Sequence, residues 1–61
     1  MASEASDRVR TLLLRGDNLL KHGRSQDKAR EAFEEARRVA ADGKLDARIR
    51  ELIERRLEQL G

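Results

Sequence analysis

Three apolar stripes at helical spacing, separated by two glycine-containing breaks, restrict this 61-residue chain to a bundle of three short helices. In the first stripe Ala5, Val9, Leu12, Leu13, Gly16, Leu19 and Leu20 recur three or four residues apart, which places them on one face of a helix. Ala29, Ala32 or Phe33, Ala36 and Ala40 do the same in the second, and Ile49, Leu52, Ile53, Leu57 and Leu60 in the third. Gly23 separates the first two, and Asp42-Gly43-Lys44 stops the second and reverses the chain. The spacing predicts helices over about 7–22, 26–41 and 45–60, forming a single all-α domain over 7–61 behind a flexible stretch, 1–6. The expected architecture is a helix-turn-helix hairpin followed by a third amphipathic helix.

Local signals agree with these boundaries. Ser6 is the expected N-cap of the first helix, with Asp7 in the first turn where the helix dipole favours negative charge. Gly23 is a good residue to follow the last turn, and Lys21 and His22 before it suit a helix C-terminus. The second helix is expected to begin after Ser25 or Asp27. Gly16 costs roughly 1 kcal/mol of helix propensity relative to alanine, so its place within the first helix indicates close approach by another helix. The second stripe is small apart from the Phe33 ring, which predicts close backbones around one large side chain; Val39 flanks it and faces a third helix. The third stripe spans only about two heptads, too few for an autonomous coiled coil. Leu14 lies off the first stripe and is the first candidate for an exposed contact residue.

Composition narrows the function. A chain this short builds a marginal core, and there is no cysteine to reinforce it, so burial against a second copy is a live expectation. The missing cysteines fit a reducing compartment, the first residues carry neither a basic nor an apolar leader pattern, and no apolar run approaches spanning length. A soluble cytoplasmic protein without membrane contact is expected. Charged residues make up 43% of the chain yet leave a net charge of only +2, which describes a mixed surface rather than a cationic patch. Arg30 with Glu34, Glu34 with Arg38 and Glu51 with Arg55 stand four residues apart and read as solvated support for the helices, worth a few tenths of a kcal/mol each.

The spacing of Gly16, Leu19 and Gly23, followed by Ala29, Phe33 and Ala36, resembles the tetratricopeptide repeat, a helix-turn-helix unit that stacks into protein-binding scaffolds. The resemblance covers about Leu12 to Ala41, half the chain. It implies that Gly16 lies where the neighbouring helix crosses, that Leu19 fills the space beside it, and that the third helix caps the hairpin. The sequence departs from the family at Leu12, where tryptophan is preferred, at Arg15 and Leu19, where leucine and tyrosine are usual, and at Ala41, in the region where proline often closes the repeat. The turn before Ala29 is one residue longer than usual. An ordinary three-helix bundle, of which the microtubule-interacting-and-transport domain has the same hairpin-plus-helix arrangement, is the alternative.

Chemistry is sparse. His22 is the only histidine and reads as a helix-terminal residue; Glu31, Glu34 and Glu35 are interspersed with Arg30, Arg37 and Arg38 and read as a solvated face; Ser3, Ser6 and Ser25 lack an activating histidine and carboxylate. No catalytic, metal or cofactor site and no small-molecule substrate is expected. The expected function is a non-enzymatic protein–protein interaction module of tetratricopeptide type, binding a partner helix or peptide or itself. By the resemblance, a partner lies along the inner face of the first helix, here Arg10, Leu13, Asp17, Leu20 and Lys21, to which the off-stripe Leu14 is added. Leu13 and Asp17 occupy positions where carboxylate-gripping members of the family use lysine and asparagine, which speaks against that activity. Ile53, Leu57 and Leu60 are the expected self-association residues. A small nucleic-acid-binding protein using Lys21, Arg24 and Lys28 is the alternative from another class, weakened by the lack of aromatic side chains other than Phe33. A designed or excised helical scaffold without an evolved ligand is a third.

Overall fold

Each stripe becomes the helix its spacing predicts. In a computed structural model, which describes residues 4–23 and 25–60, α1 spans Glu4–Lys21, α2 Gln26–Asp42 and α3 Ala47–Gln59. The helices run up, down and up, in a particle about 34 × 18 × 14 Å. The second helix is the centre of the fold. It packs closely against both α1 and α3, which meet each other at few points. Its small face explains this: Ala29, Ala32, Ala36 and Ala40 are all buried and let a helix approach on either side.

The core has two parts. Val9, Leu12, Ala36, Ala40 and Ile53 form one, with Val39, Leu45 and Ile49 against it, so Val39 does meet the third-helix cluster. Ala29, Phe33 and Leu60 form the other, with Leu19 and Leu20 against it, and Leu13 and Leu57 touch both parts. A Cβ placed on Gly16 would fall on the Phe33 ring, 2.6 Å from Cζ and 2.9 Å from Cδ1. The glycine is therefore the slot that admits the only aromatic side chain, which is fully buried.

The helix ends show where local signals were overridden. Helix α1 is already helical at Glu4, so Ser6 lies in its first turn rather than capping it, and of the stretch 1–6 expected to be flexible only residues 1–3 lie outside the described residues. Contact with the turn at the same end of the bundle accounts for the earlier start, because half-buried Ala5 packs onto Gly43 between α2 and α3. Gly23 has φ +66°, as expected of the residue that reverses the chain after α1. Ser25 precedes α2 without a side-chain cap bond, whereas Asp46 caps α3 by accepting the Arg48 N–H at 3.0 Å.

At the second break the glycine is not the left-handed residue. Gly43 has φ −83°, and Lys44 has φ +52°. The Lys44 N–H bonds the Ala41 carbonyl at 3.2 Å and the Leu45 N–H bonds the Ala40 carbonyl at 2.9 Å, the Schellman pair, with Leu45 packed on the cluster that contains Ala40. Gly43 is needed for space, since a Cβ there would lie 2.6 Å from that of Ala5. Two outcomes follow. Lys44→Gly is expected to relieve a left-handed conformation that costs about 1–2 kcal/mol, partly offset by glycine's chain entropy, and to raise the thermal midpoint by several degrees. Gly43→Ala, at a φ any residue adopts, is expected to lower the midpoint through overpacking of roughly 1–3 kcal/mol against Ala5. Thermal melts of both variants followed by circular dichroism check the pair; a midpoint lowered by Lys44→Gly would remove this account of the turn.

Among the described residues three ion pairs join the helices, one for each pairing: Arg8 to Glu35 at 3.5 Å, Arg37 to Glu54 at 3.1 Å, and Arg56 to Asp17 at 3.0 Å. Among the described residues no ion pair forms within one helix, so the expected four-residue pairs remain solvated. The first two pairs are half-exposed, and each is worth about 1 kcal/mol or less.

Candidate functional site

Because α1 and α3 both lean on α2 and hardly on each other, a groove of about 290 Å³ runs between them. Val9, Leu13 and Ile49 are buried or half-buried along it, and Leu14 and Leu52 line it from α1 and α3. Leu14 is 57% exposed and Leu52 42%, and these are the exposed large apolar side chains among the described residues. Both belong to the same groove, so the two exposed leucines are gathered in one place.

Its polar groups are few. Arg10 lies on the α1 side, and Arg56 and Asp17 join the walls near the far end. The Arg56 guanidinium spans the carboxylate, with Nη2 donating to Oδ2 at 3.3 Å and Nε 3.0 Å from Oδ1. Nε is shielded from solvent and its N–H is not aligned on Oδ1, so that second contact is Coulombic attraction rather than a hydrogen bond.

Of the partner-binding residues expected on α1, the structure brings Arg10, Leu13, Leu14 and Asp17 to this groove. Leu20 is instead half-buried against the Ala29, Phe33 and Leu60 cluster, and Lys21 is exposed at the end of α1 and does not line the groove. The contribution of α3, namely Ile49, Leu52 and Arg56, is absent from the sequence-based set. A signal for Leu52 was present: it adjoins Ile53, and successive residues of a helix point about 100° apart, so both cannot lie on the centre of one stripe.

The residues expected to self-associate lie in or against the chain's own core. Ile53 is fully buried, Leu60 is 8% exposed, and Leu57 is half-buried between the two parts of the core. These side chains complete the chain's own interior, because α3 turns them toward α1 and α2. Leu57→Glu is accordingly expected to cost helicity and the cooperative melt, by about 2–5 kcal/mol for the lost apolar contacts with a further penalty for burying charge. An unchanged melt with an altered mass on a sizing column would return Leu57 to an interface.

Elsewhere the surface is polar and mixed in sign. A hollow of about 590 Å³ between α2 and α3 is lined by Arg37, Arg50, Glu51, Glu54, Arg55 and Glu58 with two alanines and is crossed by the Arg37–Glu54 pair. On the other side, Lys28 shares a shallow hollow between α1 and α2 with Arg15, Glu31 and Glu35. Lys21, His22 and Lys28 are exposed around the first turn, and Arg24 lies outside the described residues. Among the described residues no three His, Cys, Asp or Glu side chains are placed to hold a metal ion, and no helix is long and apolar enough to cross a membrane.

No protein-family model, curated protein or solved structure matches this chain.

Proposed function

We propose that this protein is a non-enzymatic interaction module of tetratricopeptide type, acting in the cytoplasm, that holds a partner protein segment in the groove between α1 and α3. The observation that carries the reading is the convergence of Leu14 and Leu52, the two exposed large apolar side chains among the described residues, on a single groove. Exposed apolar side chains scattered singly need no explanation, but two that line one recess with a buried apolar floor form the centre of an interface. The Gly16–Phe33 contact supports the repeat-like reading of the hairpin, since it puts a small residue opposite a large one where the helices cross.

Nucleic-acid binding is the weaker reading. The only aromatic ring is buried in the core, so no stacking platform faces solvent, and Glu31 and Glu35 share the hollow that Lys28 lines.

The test is selection of helical peptides from a displayed library on the immobilised chain, repeated with Leu14→Gln/Leu52→Gln. Both positions are exposed, so the double variant is expected to melt within roughly 1 kcal/mol of the parent while losing the selected peptides. Peptides that bind parent and variant alike, or no enrichment at all, would end the proposal. Absolute mass by light scattering over a range of concentrations identifies a second copy as the occupant, if the mass rises with concentration for the parent and not for the variant.

A further inference from the structure

The charge and hydrogen-bonding capacity of the groove define its occupant more closely, and this step rests on the interaction reading above. We infer that the partner segment is an amphipathic α-helix whose apolar stripe is flanked by carboxylates. The helical part follows from what the groove lacks. Its walls are two α-helices, whose backbone groups are bonded within the helices. Its lining offers Ser6, Arg10, and Asp17 and Arg56, already engaged with each other. An extended peptide pressed into such a groove would bury backbone N–H and C=O groups without partners, each at substantial cost. A helix satisfies its own backbone and presents side chains alone, so leucine-sized residues one turn apart can pack between Leu14 and Leu52 over Val9, Leu13 and Ile49.

The acidic part follows from the rims. Arg10 stands four residues before Leu14, and Arg48 stands four before Leu52, so each exposed leucine has an arginine one turn N-terminal to it on the same side of its helix. Neither of these two arginines is ion-paired among the described residues, and both are exposed. Helices α1 and α3 run in the same direction, as Ala5 beside Gly43 and Asp17 beside Arg56 show, so Arg10 and Arg48 lie toward the same end of the groove. The one carboxylate on the lining, Asp17, is already paired with Arg56. The one unpaired charge on the lining, Arg10, is thus positive, which favours carboxylates on the incoming helix and disfavours a second copy bringing the same arginines to the same rims.

The experiment uses two synthetic helical peptides with the same leucine stripe, one flanked by glutamates and one by lysines, titrated against the full chain by fluorescence anisotropy at low and high salt. The glutamate peptide is expected to bind more than about tenfold tighter than the lysine peptide and to weaken as salt rises. Arg10→Gln and Arg48→Gln are each expected to weaken it roughly two- to fivefold, as surface ion pairs do, and Leu14→Gln/Leu52→Gln to remove binding. Equal binding of both peptides overturns the acidic assignment while leaving the interaction reading intact. A proline-broken glutamate peptide that binds as tightly overturns the helical one. Displacement of the glutamate peptide by a single-stranded oligonucleotide assigns the arginines to phosphate and overturns both. Failure of both peptides where the displayed library still yields groove binders overturns this inference alone.

Discussion

Phe33→Ala is expected to leave the chain without a cooperative unfolding transition. The ring is the only aromatic group in the sequence, is fully buried, and is the largest of the fully buried side chains. It fills the space between Gly16, Ala29 and Leu60, so truncation opens a cavity that alanines cannot close. Such a change costs about 3–5 kcal/mol. At roughly 0.05–0.15 kcal/mol per residue, a domain of this size holds only about 3–9 kcal/mol in total. One side chain therefore carries a large share of the stability, because the second stripe was built from alanines and concentrated its apolar area in a single ring. Urea and thermal melts followed by circular dichroism provide the measurement. A Phe33→Ala variant that melts within a few degrees of the parent would show that the core closes without the ring.

The second large effect belongs to Gly16. Two terms oppose each other at this position: alanine gains roughly 1 kcal/mol of helix propensity over glycine, while overpacking a filled core costs about 1–3 kcal/mol. The clash should win, because the Cβ would sit 2.6 Å from a ring atom that has no exposed side to swing toward. Gly16→Ala is therefore expected to destabilise modestly, and Gly16→Leu to prevent the hairpin from closing. The two residues form one contact, so their effects should not add: Gly16→Ala combined with Phe33→Leu is expected to cost measurably less than the sum of the single changes. If Gly16→Ala raises the melting midpoint instead, the ring moves aside freely and the glycine is not a slot.

Both predictions rest on a contact that was partly legible beforehand. A glycine within an apolar stripe implied a close neighbour, and a stripe of alanines with one ring implied what that neighbour was. The exposure of Leu14 was legible for a similar reason, since it lies off the periodic face. Other features depend on contacts between distant parts of the chain. Asp42-Gly43-Lys44 marked a stop, but only the approach of Ala5 shows why the glycine stands at a right-handed position and leaves Lys44 in the left-handed one. Arg30, Glu34 and Arg38 had the spacing for pairs within a helix, yet the pairs that form within 4.0 Å cross between helices, where Arg8, Arg37 and Arg56 meet carboxylates brought by the fold.

Three helices, their breaks and the faces by which the first two meet are legible in the residues alone, because helical periodicity, glycine and side-chain size act over one or two turns. The fate of the third face depends on packing between distant parts of the chain. How far α3 rotates about its axis, as it settles on the small face of α2, sends Ile53, Leu57 and Leu60 inward and leaves Leu52 beside Leu14 on the groove. That rotation reflects the balance of contacts with two other helices, and a stripe containing both Leu52 and Ile53 is compatible with more than one angle.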